Sequence, residues 1–368
     1  VIRGTAAGTG YGVRMADTSD DEGPAAFTVN GNMSIAGSSV SGGGIYLSLE
    51  DIYGTPANLA IGNTGSLALI GSSQGTHGIQ IQNSTSGGFV VNAGNLTVSG
   101  YTNATGASGV QWAGASYDGT NAKNLVVLGT AATTSGNGIG VLIAATGGMH
   151  FNTGGNNLTI VGSSTDSHGT SINIADSLNV SVGKQVLISG TSSSGNGVRL
   201  IASGINNSGN LTIAGSSDTA EGVVIAAQLN TSAGSQTLIT GTSSAQNGVC
   251  MTVGAGWTLN GNTTILGNSD ASAGVRLVGT GASTIDVGAG TQFKVAGSSN
   301  QADGVIWGSV TLNNQGNVTL TGSANNGRGI YIVDSSLNNS AAANLTIAGS
   351  SAAGEGVSFD FGGSSGIT

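Results

Sequence analysis

The most regular pattern along the chain is a short segment of alternating apolar and polar residues that ends at a glycine. Six mostly small or polar residues follow, and then a second glycine. In most copies Val or Ile comes directly after this second glycine and begins another alternating segment. Its glycine pairs are Gly37–Gly44, Gly71–Gly78, Gly162–Gly169, Gly190–Gly197, Gly215–Gly222, Gly241–Gly248, Gly267–Gly274, Gly297–Gly304, Gly322–Gly329 and Gly349–Gly356, with stretched copies at Gly4–Gly12, Gly100–Gly109 and Gly129–Gly138. Thirteen copies, with first glycines 25 to 34 residues apart from Gly37 onward, indicate a solenoid.

Within one copy, the alternation has the period of two that is typical of a half-buried β-strand. Asn210–Ile213 (Asn-Leu-Thr-Ile) shows it before the first glycine, and Val198–Leu200 (Val-Arg-Leu) shows it after the second glycine. A third, weaker apolar segment, such as Leu178–Val180, often fills the remainder. The sequence therefore predicts an all-β, right-handed parallel β-helix of about thirteen coils with three short strands per coil, since parallel crossovers are right-handed by default.

Two columns of residues after the second glycine assign the faces of the strand that follows it. The residue two places after that glycine is mostly polar: Arg14, Tyr46, Gln80, Gln111, Gly140, Ser171, Arg199, Val224, Cys250, Arg276, Ile306, Tyr331 and Ser358. The next residue is apolar in every copy: Met15, Leu47, Ile81, Trp112, Val141, Ile172, Leu200, Ile225, Met251, Leu277, Trp307, Ile332 and Phe359. We therefore predict that the first column faces outward and the second faces the core.

Composition narrows the possible partners. The chain has 67 Gly and 2 Pro among 368 residues, and 38% of its residues are hydrophobic, which is enough for a core. Only 8 basic residues stand against 17 acidic ones, so we expect no nucleic-acid partner. No apolar run is long enough for a transmembrane segment. The one cysteine, Cys250, excludes an internal disulfide and the common zinc patterns, and we expect no cofactor.

We interpret residues 1–368 as a single β-helical solenoid, a segment of a longer polypeptide or fibre. The coils within about residues 1–70 are the least regular, because both prolines, Pro24 and Pro56, lie there beside the acidic stretches 17–22 and 50–51. These stretches predict loops that project from the coils, and a similar insertion is predicted between Gly114 and Asn124.

Candidate catalytic carboxylates are scattered through the repeat. Cleavage of a polysaccharide by general acid–base chemistry needs two carboxyl groups close together. Asp218 and Asp270 occupy the same turn position two coils apart, and a second turn column holds acidic residues at larger separations: Glu221, Asp303 and Glu355. We therefore expect a non-catalytic protein and keep a polysaccharide lyase or hydrolase as an alternative.

Histidine and cysteine show no pattern of metal binding or nucleophilic catalysis. His77 and His168 occupy an exposed turn column three coils apart, and His150 lies in an intervening segment. Cys250 lies in the outward column and has no recognisable histidine partner. We expect neither a metal site nor a reactive thiol.

Five side chains of the outward column are candidates for contact with a partner: Arg14, Tyr46, Arg199, Arg276 and Tyr331. Guanidinium and phenol groups supply hydrogen-bond donors for host or bacterial surface glycans or for acidic partners. The alternative is that they are ordinary surface residues that interrupt a sheet face.

Asn-x-Ser/Thr triplets recur at the starts of the strands before the first glycine, for example at Asn95, Asn157 and Asn210. Such triplets accept glycans in a suitable exported context. The alternative interpretation is that the repeat produces them, because Asn suits a turn before a strand and Thr suits an outward strand position.

The phrases Asn210–Ser217 (Asn-Leu-Thr-Ile-Ala-Gly-Ser-Ser) and Gly190–Val198 (Gly-Thr-Ser-Ser-Ser-Gly-Asn-Gly-Val) resemble the repeats of large bacterial exoproteins. These are the filamentous-haemagglutinin-like adhesins of two-partner secretion and similar autotransporter passengers. The resemblance covers essentially the whole chain. It implies export across the outer membrane and an elongated β-helical stalk that carries adhesion or delivery at a distant tip.

These observations favour a non-catalytic stalk or filament segment of a secreted or surface-displayed bacterial adhesin, located outside the cell or on its surface. A self-assembling extracellular filament subunit that stacks end to end is the first alternative, and a glycan-binding or glycan-cleaving β-helix is the second. The expected partners are adjoining coils of the same polypeptide or other copies of the chain, with surface glycans as a further possibility.

Overall fold

Every regular element in the described part of the chain is a β-strand. In this computed structural model the described residues are 1–16, 26–48, 58–62, 65–82, 88–91, 94–114, 116–118, 122–133, 135–145, 151–152, 157–254, 256–362 and 366–367. They form a parallel β-solenoid of about 11 turns without helix, against about thirteen coils predicted, and the all-β solenoid class is confirmed. Right-handed coiling and three strands per coil stay predictions. The chain divides into two compact units, Val1–Ser194 and Gly195–Thr368.

The first unit contains strands of three parallel sheets. The first sheet contains β1 (Ile2–Ala6), β4 (Asn32–Ser39), β7 (Ser66–Ser73), β10 (Asn95–Thr102), β13 (Asn124–Ala131), β16 (Asn157–Ser164) and β19 (Gln185–Ser192). The second contains β2 (Val13–Met15), β5 (Ile45–Ser48), β8 (Ile79–Gln82), β11 (Val110–Ala113), β14 (Val141–Ala145), β17 (Thr170–Ile174) and β18 (Ser177–Val180). The third contains β3 (Ala26–Val29), β6 (Asn58–Ile61), β9 (Gly88–Val91), β12 (Ser116–Asp118) and β15 (Phe151–Asn152).

The second unit repeats the first two kinds of strand. Its first sheet contains β21 (Asn210–Ser217), β23 (Gln236–Ser243), β26 (Asn262–Ser269), β28 (Gln292–Ser299), β30 (Asn317–Ala324) and β33 (Asn344–Ser351). Its second contains β20 (Val198–Asn207), β22 (Val223–Thr231), β24 (Val249–Val253), β25 (Trp257–Leu259), β27 (Val275–Val287), β29 (Val305–Asn314), β31 (Ile330–Val333), β32 (Ser336–Asn339), β34 (Val357–Asp360) and β35 (Gly366–Ile367).

The strands stack so that equivalent residues of successive copies lie side by side. In the second unit Gly241 pairs with Gly215 and with Gly267, and the column continues through Gly297, Gly322 and Gly349. The repeated glycines of the sequence therefore mark the register in which neighbouring strands of the sheet pair.

The register of one copy differs from the prediction. Val110 pairs with Val141, so that Gly140, rather than Gly138, is equivalent to the second glycine. Leu142 takes the outward position assigned to Gly140, and Ile143 takes the core position assigned to Val141. Val141 lies two residues earlier in the strand and is also buried. Glycine spacing alone misplaces this copy because its turn contains several glycines.

Close backbone approach, and not an unusual backbone dihedral, explains the paired glycines. A Cβ atom added to Gly241 would lie far inside van der Waals contact of the Gly248 carbonyl oxygen. One added to Gly248 would meet the backbone of Asn268 in the next coil. Neither glycine has a positive φ, so a left-handed backbone does not account for glycine at this pair.

The predicted inward face is confirmed, and the predicted outward face is confirmed except at Ser171, which is 2% exposed. In the second unit Leu200, Ile225, Met251 and Leu277 of the inward column are fully buried, whereas Arg199 is half-buried. The inward column is not fully buried at its two ends, where Met15 is half-buried and Phe359 is 40% exposed. The period of two therefore separates core from surface residue by residue.

Buried serines connect successive turns, a role that the sequence reading missed. Ser243 Oγ donates a hydrogen bond to the carbonyl oxygen of Ala220 in the preceding turn, at 2.6 Å, and accepts one from the backbone N–H of Gln246, at 2.9 Å. The same position is occupied by Ser217, Ser269, Ser299 and Ser351, each of which donates to a carbonyl of the preceding turn. The serines of the glycine phrase are therefore structural.

Amide ladders occur at the strand starts. Asn124 Nδ2 donates to Asn95 Oδ1 at 2.8 Å, and Asn157 Nδ2 donates to Asn124 Oδ1. In the second unit Asn344 Nδ2 donates to Asn317 Oδ1 at 2.8 Å. These bonds support the interpretation that the repeat itself places Asn at these positions.

Exchange of Leu200 for Asp should lower the free energy of unfolding by about 4 kcal/mol, because it buries an unpaired carboxylate. The control is Arg199→Asp on the adjacent outward position, which should change stability by less than about 0.5 kcal/mol. Thermal and denaturant melts of the two variants measure the difference. Equal losses would contradict the assignment of the two faces.

Exchange of Ser243 for Ala should cost about 1–3 kcal/mol, because it leaves the Ala220 carbonyl and the Gln246 N–H without their shared partner. Ser244→Ala, one residue further along on an exposed position, is the matched control and should be close to neutral. Chemical denaturation checks both variants. A silent Ser243→Ala would show that the serine column contributes no stability.

Candidate functional surface

The outward column of the first unit brings two of the predicted contact residues together. Arg14 pairs in register with Tyr46, and Tyr46 pairs with Gln80. The Arg14 guanidinium carbon lies 5.9 Å from the centre of the Tyr46 ring, and the Tyr11 ring lies 4.8 Å from the same ring. Arg14 and Tyr46 thus form a small cation–aromatic surface with Tyr11.

The outward column of the second unit keeps its predicted residues apart. The pairings run from Arg199 through Val224, Cys250, Arg276 and Ile306 to Tyr331. At about 4.8 Å per coil, Arg199 and Arg276 lie about 14 Å apart. The column exists as a line of half-buried side chains, and its role in binding a partner stays a prediction.

Cys250 is held as a thiol. Burial raises the pKa of the Cys250 thiol, and this effect exceeds the opposing one of Arg276, whose Nη1 lies 3.7 Å from the sulfur. A nucleophilic cysteine needs a lowered pKa, so this environment is the opposite of an activating one.

A cluster of charged and aromatic side chains in the second unit was not predicted from the sequence. Arg328 donates from Nε to Asp303 Oδ1 at 3.0 Å and from Nη2 to Oδ2 at 2.9 Å. Its guanidinium carbon lies 3.3 Å from the centre of the Tyr331 ring, and the Tyr331 hydroxyl donates to Asp360 Oδ2 at 3.2 Å. Asp303 raises the pKa of Arg328. The sequence does contain a signal for the ion pair, because Asp303 and Arg328 carry opposite charges at the same turn position of two successive copies.

His77 has a structural partner. Its Nδ1 accepts a hydrogen bond from the backbone N–H of Ser108 at 2.8 Å, and burial lowers the pKa of the imidazole, so the ring is neutral near pH 7. His168 lies in the same column three copies further on, and His150 lies outside the described residues. Within the ranges that the structure describes, no three His, Cys, Asp or Glu side chains are grouped as metal ligands.

The acidic residues of the turns remain separated. The backbone bonds of the turns place Ser244 between Asp218 and Asp270, so the two carboxylates are two coils apart, as predicted. The N-terminal acidic residues Asp17, Asp20, Asp21, Glu22, Glu50 and Asp51, with Pro24 and Pro56, lie outside the described residues. A membrane-crossing helix of sufficient length and apolarity is not found in the described part of the chain.

A shallow groove of about 740 Å³ crosses the first sheet of the second unit along the column of first glycines. Its lining includes Gly241, Gly267 and Gly297 with small neighbours such as Ser298. The lining combines backbone and hydroxyl groups with the Asn268 amide and apolar side chains such as Leu266, and it contains no charged side chain. The glycines contribute no side chains to this part of the sheet surface.

With this geometry in place, the chain was compared with known proteins. No family model, curated protein or solved structure matches it. The class that the fold defines is therefore a parallel β-solenoid, and the more specific resemblance to bacterial exoprotein repeats stays a prediction.

Exchange of Arg328 for Met should lower the free energy of unfolding by about 1–2 kcal/mol. The variant removes a bidentate ion pair and a cation–aromatic contact but keeps most of the side-chain volume. Arg199→Met, in the same unit, is the control and should be nearly neutral. Melts at low and high salt measure the effect, and a loss no larger than that of the control would contradict the role assigned to the cluster.

Proposed function

We propose that the chain is a non-catalytic structural segment, a stalk or filament portion, of a secreted or surface-displayed bacterial adhesin. Each coil binds the next through backbone ladders, a buried core column and the serine column. Ser269, for example, donates at 2.5 Å to the Gln246 carbonyl of the preceding turn. Units that contact only their neighbours in this way extend a structure in one dimension, which is what a stalk requires.

The bacterial and extracellular part of the proposal rests on the resemblance of Asn210–Ser217 and its repeats to exoprotein repeats. The adhesin's receptor contacts would lie elsewhere, and the outward column would supply weak contacts through residues such as Arg14 and Tyr46. The glycine-rich, cysteine-poor composition is compatible with export.

The observation that carries the proposal is the in-register stacking of one coil on the next, which buries the apolar side chains between them. In β33 the core-facing side chains of Leu345 and Ile347 are half-buried, whereas their partners Val318 and Leu320 in β30 are fully buried. Phe359 and Phe361, whose rings stack 5.3 Å apart, are 40% and 38% exposed. Another layer of strands would bury these apolar groups and pair the edge of β33.

The same observation favours the second candidate, a subunit that stacks end to end on other copies. A covering coil from the same polypeptide and a covering coil from a second copy satisfy the same apolar side chains and the same strand edge. The two candidates differ only in whether the added coil is covalently attached.

We expect the mass of the 1–368 chain in solution to rise with concentration, as measured by light scattering. The double variant Phe359→Lys, Phe361→Lys should abolish this rise, because it places charge on the apolar face. Val182→Lys, at a position 80% exposed in the first unit, is the control and should leave the rise unchanged.

If the chain is a monomer at every concentration, the end-to-end stacking subunit is contradicted, and the covalent stalk segment remains as the candidate. Hydrogen exchange on that monomer then tests the stalk itself: amides of β33 should exchange faster than those of β30. Equal protection of the two strands would show that the last coil needs no covering layer and would contradict both candidates.

A further inference from the structure

A second groove of the second unit has a different chemical character from the groove over the glycines. It has a volume of about 570 Å³ and lies between a strand column and a turn column. The strand column is Thr258, Asp286, Asn313 and Asn338, which pair in register. The turn column contributes Asn260 and Gln315. Its side-chain lining is dominated by amide, hydroxyl and carboxylate groups.

The strand column is ordered by its own hydrogen bonds. Asn313 Nδ2 donates to Asp286 Oδ1 at 2.7 Å, and Asn338 Nδ2 donates to Asn313 Oδ1 at 2.9 Å. A primary amide has two N–H donors and a carboxylate has two oxygens, so this ladder uses only part of the capacity of Asn313 and Asp286. The remaining groups are preorganised at the coil spacing of about 4.8 Å.

Gly288 keeps the groove open. A Cβ atom at this position would collide with the side-chain oxygen of Asn260, the far end of an exposed side chain, and not with backbone. Gly288 has no positive φ, so its backbone is one that other residues adopt. Gly288 and Asp286 both line the groove, so a long side chain at position 288 would enter the space that Asp286 borders.

We infer that this groove binds a neutral polysaccharide chain. Sugar hydroxyls are both donors and acceptors, and they match a row of amides, hydroxyls and one carboxylate repeated at a regular step. The groove lining contains Asp286 and no basic side chain, which disfavours acidic glycans and nucleic acids. Its exposed polar columns also disfavour an apolar ligand. This inference is independent of the stalk proposal.

The test uses the 1–368 chain and neutral oligosaccharides, namely cellohexaose, xylohexaose and maltoheptaose, with oligogalacturonate as the acidic counterpart. Isothermal titration calorimetry should show binding of at least one neutral oligosaccharide and weaker binding of oligogalacturonate. Gly288→Gln, which fills the groove, should weaken the neutral ligand at least about tenfold, or ~1.4 kcal/mol. Gly254→Gln, at a glycine with open space around it, is the matched control and should bind as the parent chain does.

A second variant, Asn260→Leu, removes an exposed polar group of the same groove and should also weaken binding of the neutral oligosaccharide. If Gly288→Gln does not fold, Asn260→Leu alone tests the inference. The inference is overturned if no neutral oligosaccharide binds, if both groove variants bind like the parent chain, or if oligogalacturonate binds more tightly. Because the light-scattering experiment measures mass without added glycan, failure here leaves the stalk proposal unaffected.

Discussion

The close approach of backbone at the paired glycines is the constraint on which the rest of each unit depends. The first glycine of a copy faces the carbonyl oxygen of the second, and the second faces the backbone of the next coil, with no room for a Cβ atom at either place. Because both contacts recur from coil to coil, as at Gly215 with Gly222 and at Gly267 with Gly274, equivalent strands begin and end at equivalent residues. In-register stacking is therefore a consequence of packing at two positions, and every column of side chains follows from it.

Because the coils stack in register, each position of the repeat forms a column of side chains, and different columns have different structural roles. Apolar columns fill the core, as at Leu200 and Ile225, and the buried serine column closes the hydrogen bonds of the turns. Outward columns are less constrained, which is why they hold such different residues as Arg276 and Ile306 side by side. Chemistry that needs several groups at one point is hard to build from columns, whereas chemistry that repeats along a line is easy. The polar groove with Asp286 and Asn313 is of the second kind.

Where the sequence reading was incomplete, the reasons are physical. Alternation assigned the inward face correctly, and the outward face except at Ser171, because successive side chains of a strand point to opposite faces. It misplaced the copy at Gly138 because spacing cannot distinguish neighbouring glycines in one turn, whereas the pairing of Val110 with Val141 does. The cluster of Arg328, Asp303 and Tyr331 was not predicted. Opposite charges in one column indicate that Arg328 and Asp303 are neighbours, but they do not indicate that the guanidinium also stacks on Tyr331.

The sequence alone determined the repeat, the strand faces and the all-β class, since these depend on local periodicity and on which residues tolerate burial. Only the tertiary structure decided which coil lies against which, and hence that Arg14 contacts Tyr46 while Arg199 and Arg276 remain apart. It also decided that the paired glycines, such as Gly241 and Gly248, make close backbone contacts without a positive φ, and that Asn260 and Gly288 border an open groove. These features depend on distances between residues far apart in the chain, which a pattern along one dimension does not contain.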